Sequence, residues 1–198
     1  MQASELVRRL MELDMAVFTT RDVSVLTMKA PEYTKVFLSY LVKRGVVEKV
    51  ERGRYCLIGT SPYVIASRIT KGSYIALISA ARFHNITTQL PNTILVFSPV
   101  YHRPMLIKGN YRVRFIKVNK KVIYGYNEYN GAYVSDLEKI FVDDVYYHRA
   151  LYYTEELETV LARGLLNVEK LNGYIKALGR EDMAKALRRS LKAYKISV

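Results

Sequence analysis

The sequence predicts an α+β protein of two domains, residues 1–60 and 61–198, the second a mixed α/β domain that ends in helices. Three observations predict it. The chain has 198 residues, more than the usual single domain of about 100–150. Half of the residues are hydrophobic, enough for an ordinary core. The apolar spacing also changes along the chain, from helical to alternating and back to helical.

The first sixty residues read as three short helices and a hairpin. Ser4 is placed to cap a helix that carries Leu6, Leu10 and Leu13 along one side. Thr19-Thr20 offers a second N-cap, with Asp22 in the first turn, for a short helix over 20–27 that turns Val23 and Leu26 inward. Pro31 suits the first turn of a third helix, and Gly45 supplies the left-handed residue that stops it. VVEKVERGRYCLI then sets two β-branched runs around Arg52-Gly53, the signal of a hairpin. Three helices followed by a two-stranded wing is the order of a winged helix-turn-helix.

Beyond the wing, Ser61-Pro62 opens a helix that Lys71-Gly72-Ser73 breaks, and YIALISAARFH resumes as a nearly apolar, buried helix. Leu90-Pro91-Asn92 is a turn and TILVFSP a buried strand. YRVRFIKV over 111–118 alternates, and is expected to pair with VIYGYN across Asn119-Lys120-Lys121. AYV forms a short strand, and Ser135-Asp136-Leu137-Glu138 reads as a capping box opening a helix over 136–147. Three further helices, over about 154–163, 167–178 and 181–194, finish the chain.

The third helix leads towards function. An advance of about 100° per residue puts Thr34, Phe37, Leu38 and Leu41 on one face. Glu32, Lys35, Val36, Ser39 and Lys43 fall on the other, a polar and basic surface of the kind a recognition helix offers a major groove. Arg52 and Arg54 flank the wing glycine, within reach of a phosphate or the minor groove. The expected DNA contacts are therefore Lys35, Ser39, Lys43, Arg52 and Arg54.

Charge points the same way. The formal net charge is +13, which favours a polyanionic partner. Residues 61–130 hold ten basic residues against Glu128 alone. Ten tyrosines fall between Tyr101 and Tyr153, interleaved with Arg112, Arg114, Lys117, Lys120 and Lys121. Basic side chains among aromatic ones are one way to hold a single strand, so these five residues form a second expected nucleic-acid surface.

Signs of catalysis are sparse. Neither GxGxxG nor GxxxxGK[ST] occurs. His84, His102 and His148 are widely separated, and Cys56, the one cysteine, has no histidine nearby in sequence to activate it. Asp136, Glu138 and Lys139, followed by Asp143 and Asp144, have the spacing of the acidic-lysine element of metal-dependent nucleases. The same residues also suit a capped helix start. No catalytic residue, metal or cofactor is expected. With no run of about eighteen apolar residues and no apolar leader in MQASELVRRLMELD, a cytoplasmic protein without membrane contact is expected.

Several stretches resemble one known family. FTTRDV…YLVKRGVVEKVERGRYCL looks like the winged-helix start of AbiEi-type antitoxins of type IV toxin–antitoxin systems. SPYVIASRITKGSYIALISAARFHNITTQLP resembles the family's helix, its Gly-Ser-Tyr break and its following helix, and GAYVSDLEKIFVDD its strand and acidic helix. Ala81-Arg82 and Asn85 depart from the family pattern, and the helices beyond 150 match it loosely. The resemblance implies a DNA-binding repressor of its own operon, acting on inverted repeats, and an antitoxin that opposes a nucleotidyltransferase-like toxin without a stable complex, with Arg112, Arg114, Lys117, Lys120 and Lys121 as the alternative antitoxin surface. Two other readings remain: an RNA-binding protein using the basic 103–121 segment, and a nuclease built on Asp136, Glu138 and Lys139.

Overall fold

The computed structural model describes residues 2–196. The fold is mixed α+β and divides into two compact units, Met1–Ile69 and Thr70–Val198. Among the described residues no helix is long and apolar enough to cross a membrane.

The first unit runs α1 (Ala3–Glu12), β1 (Val17–Thr19), α2 (Thr20–Thr27), α3 (Pro31–Lys43), β2 (Val47–Glu51), β3 (Arg54–Leu57) and α4 (Pro62–Arg68). The expected boundary near residue 60 falls ahead of α4, which belongs to this unit. Local chemistry accounts for the helix starts. Thr19 Oγ1 accepts from the Asp22 N–H, and Asp22 Oδ2 accepts from the Thr19 N–H, a reciprocal cap that fixes α2. Pro31 sits in the first turn of α3, and Ser61 Oγ accepts from the Tyr63 N–H ahead of α4. Ser4 does not cap α1: the helix begins at Ala3, so Ser4 lies within its first turn. Leu6, Leu10, Phe18, Val23, Leu38, Leu41 and Val47 form the core. Over them lies a three-stranded antiparallel sheet in the order β1-β3-β2.

The second unit is built on a six-stranded mixed sheet of order β6-β7-β5-β4-β9-β8. Its elements are β4 (Tyr74–Ile75), α5 (Leu77–Phe83), β5 (Thr93–Ser98), β6 (Met105–Ile107), β7 (Tyr111–Lys117), β8 (Tyr126–Tyr129), β9 (Ala132–Ser135) and α6 (Leu137–His148). The last three helices are α7 (Thr154–Ala162), α8 (Val168–Leu178) and α9 (Glu181–Ala193). The strand pairs β5·β7 and β4·β9 are parallel and the others antiparallel. Helix α6 is buried over eight consecutive residues, Glu138 to Val145, and packs against α5, α8 and α9.

Two expectations for this unit are corrected. The hairpin between 111–118 and VIYGYN does not form. β7 lies instead between β5 and β6, where Val113 and Phe115 are buried against the apolar strand 93–98. Asn119 Oδ1 accepts from the Lys121 N–H and starts a 3₁₀ turn over Lys120–Val122, which carries the chain to the opposite edge, where β8 pairs with β9. The apolar stretch YIALISAARFH is also not one helix. Tyr74 and Ile75 form β4, and Leu77 takes a left-handed φ of 59° before α5 proceeds. A bulky residue rarely adopts that conformation. Here it turns a buried strand directly into a buried helix.

Candidate functional site

The outer face of α3 is set by what its inner face buries. Thr34, Leu38 and Leu41 are fully withdrawn from solvent, and Phe37 is half-buried. Lys35, Ser39 and Lys43 consequently stand exposed on the other side, lining one shallow depression with Val36 and Tyr40. Val36 is 71% exposed. Arg44 donates to Tyr40 Oη at 2.6 Å and lies over its ring, and the Lys29 ammonium is 5.9 Å from the Tyr33 ring centre. Tyr40 and Arg44 were not among the expected contacts. Their four-residue spacing, which places them side by side on a helix, was the available signal.

The β2–β3 hairpin turns at Arg52-Gly53, where Gly53 has a φ of 74°. The Thr20 N–H donates to the Gly53 carbonyl at 3.0 Å, so the turn is held against the start of α2. Its two arginines differ. Arg52 is exposed. Arg54 is half-buried, donating to Glu51 Oε1 at 2.8 Å and to the Ile69 carbonyl at 2.7 Å. Its guanidinium braces the unit. The expected wing pair thus presents one outward charge, that of Arg52.

In the second unit, Arg112, Arg114, Lys117, Lys120 and Lys121 are all exposed. They do not share a hairpin. Arg112 and Arg114 lie on one face of β7, Lys117 on the other, and Lys120 and Lys121 in the 3₁₀ turn.

The acidic stretch at the start of α6 is a buried polar network. Asp136 is the N-cap residue, but its side chain makes no capping bond, which corrects the expected Ser135–Glu138 capping box. Its Oδ1 accepts from Asn127 at 2.7 Å and Tyr129 at 2.8 Å, while Oδ2 takes the Tyr174 hydroxyl at 2.5 Å and the Lys170 ammonium at 2.8 Å. Burial alone would raise this carboxyl, but the bonds from Lys170, Tyr174, Asn127 and Tyr129 hold it down to about 2. Glu138 accepts from the Asn167 N–H at 3.1 Å, and the buried Lys139 is paired with the buried Asp143. Burial pushes the Asp143 carboxyl up to about 6, against the downward pull of Lys139 and the Tyr74 hydroxyl. Asp144 Oδ2 accepts from the Tyr152 and Tyr153 N–H groups, and its Oδ1 faces His148 Nδ1 at 2.7 Å.

These carboxylates thus serve as acceptors for groups of the fold. Among the described residues, no group of three or more His, Cys, Asp or Glu side chains is placed to hold a metal ion. The histidines are dispersed: His84 bonds the Ser135 carbonyl, His102 the Arg103 carbonyl, and His148 lies beside Asp144. Cys56 is buried within β3. No protein-family model matches the chain, and no curated protein does.

Proposed function

We propose that the first unit is a winged helix-turn-helix that binds double-stranded DNA, with α3 in the major groove and Arg52 of the β2–β3 hairpin on the backbone beside it. The observation that carries this reading is the division of α3: Thr34, Leu38 and Leu41 are buried, and Lys35, Ser39 and Lys43 are exposed together on the opposite face. Lysines there neutralise phosphates, and Ser39 and Val36 can approach base edges. Arg54, committed to Glu51 and Ile69, has no part in the contact set.

On this reading the protein is a non-enzymatic transcriptional regulator that represses its own operon through inverted repeats. The sequence blocks that resemble AbiEi-type antitoxins extend the proposal to antitoxin activity against a nucleotidyltransferase-like toxin, without a stable complex between the two. The engagement of Asp136, Glu138 and Asp143 by the fold favours it over a metal-dependent nuclease.

The test is binding to the DNA immediately upstream of the gene, against unrelated DNA, at about 150 mM salt. A preference of about a hundredfold, equivalent to about 2.7 kcal/mol, that disappears in Lys35→Ala/Lys43→Ala is the expected result. Equal affinity for both DNAs rejects the repressor reading.

A further inference from the structure

The second unit carries a basic sheet face that the DNA-binding proposal does not use. Side chains at paired positions of neighbouring strands share a face, and alternate residues of one strand do too. Arg112 of β7 is opposite Thr93 of β5 and Leu106 of β6, and Arg114 is opposite Leu95. Both arginines are exposed and neither makes an ion pair among the described residues. Leu106, on the edge strand, is 63% exposed, and Leu95 and Ile116 on the same face are half-buried. At the inner end the patch stops at Phe97, which is covered by Tyr146 and Tyr147 of α6. The result is an open strip of sheet with two guanidinium groups standing on an aliphatic floor.

The charge of the segment says what would lie on it. Residues 61–127 contain no Asp or Glu, so β5, β6 and β7 bring no internal counter-ion to the strip. Arg112 and Arg114 are spaced by two residues, about 6.7 Å along an extended strand. A planar guanidinium is the side chain best fitted to phosphate. Leucine and isoleucine between them offer apolar contact, which a bare polyanion does not use and a nucleic-acid strand with splayed bases does.

We propose that this face of β5, β6 and β7 binds a single nucleic-acid strand, with Arg112 and Arg114 on its phosphates and Leu106 and Leu95 against its bases. The proposal is independent of the DNA-binding role of α3, because it uses residues of the second unit only.

The experiment is fluorescence anisotropy with labelled oligouridylate, using the full chain carrying Lys35→Ala/Lys43→Ala so that α3 contributes no charge from those lysines. Arg112→Gln/Arg114→Gln in that background is expected to weaken binding at least tenfold. It should also lower the slope of log K against log salt by about 1.4, since each phosphate contact to a single strand contributes about 0.7. Leu106→Ser is expected to weaken binding several-fold with the slope unchanged. Melting temperatures should stay level, as all three side chains are exposed. Unchanged affinity in the arginine variant overturns the proposal. So does competition by polyphosphate or polyglutamate as effective as unlabelled oligouridylate at equal charge, which would mark a general anion surface or one for an acidic protein.

Discussion

Lys139 and Asp143 form an ion pair one turn apart in α6, with both side chains wholly withdrawn from solvent. Lys139 also donates to Tyr74 Oη at 3.3 Å, and Tyr74 donates to Asp143 Oδ2 at 3.1 Å, closing a three-membered ring of bonds. The lysine ammonium lies 4.5 Å from the Tyr124 ring centre as well. Removing one member strands the other charge in the core. Lys139→Ala is expected to lose about 3–5 kcal/mol of stability, while Lys139→Met/Asp143→Leu, which removes both charges, should recover most of it. Urea unfolding of the two variants checks this. A double variant as unstable as the single one would show that packing, not charge, sets the cost.

Asp136 gives a pH dependence of definite sign. Its folded value of about 2 lies below the roughly 3.9 of a free aspartate. Its contribution to stability is therefore complete above about pH 4 and lost as pH falls from there through 2. Because solvent reaches part of this network, the contribution is about 1–2 kcal/mol. The stability gap between the wild type and Asp136→Asn is expected to narrow as pH falls across that window. A gap that stays constant from pH 5 to 2.5 would remove the assignment.

Gly125 sits where no side chain fits. Its φ is 66°, and a Cβ there would stand 3.0 Å from Lys139 Cδ and from two ring carbons of Tyr174. Its carbonyl also accepts the Asp136 N–H at 2.9 Å. Gly125→Ala is expected to cost about 2 kcal/mol or more, from the left-handed backbone together with the close contacts. Thermal melting reads it, and a change within about 0.5 kcal/mol, the usual range for a surface site, would contradict it.

Arg52 and Arg54, at the β2–β3 turn, separate binding from stability. Arg52→Ala is expected to leave the melting temperature within error while reducing the salt slope of duplex binding by about 0.9, one phosphate contact. Arg54→Ala is expected to do the reverse, costing about 1–2 kcal/mol through its bonds to Glu51 and Ile69 and leaving the slope unchanged. Anisotropy and melting on the same two variants decide it.

Sequence reading succeeded where the determinants are local. The Thr19–Asp22 cap, Pro31, the Arg52-Gly53 turn and the inward Thr34, Leu38 and Leu41 all lie within one turn or one hairpin of the residues they control. It failed where partners are distant. β7 pairs in parallel with a strand about twenty residues earlier, and nothing at 119–121 announces that. Asp136 was legible as a helix start, but its four side-chain partners come from β8 and α8. Arg54 reads like Arg52 until the Ile69 carbonyl, fifteen residues on, is placed beside it.

The strand order gives Tyr74 and Ile75 a disproportionate role. β4 has only these two residues, yet it pairs with β5 on one side and β9 on the other. Every strand-to-strand path from the β6-β7-β5 half of the sheet to the β9-β8 half runs through it. Helix α5 adds a second link, through Ser79 to Thr93 and Leu95 of β5 and through His84 to Ser135 of β9. In terms of amide exchange, β4 is the latch between the two halves, and uncoupling them takes the release of α5 from β5 and β9 as well as the opening of β4. Tyr74 is held to Asp143 through its hydroxyl, so the buried ring of bonds with α6 also fastens the latch.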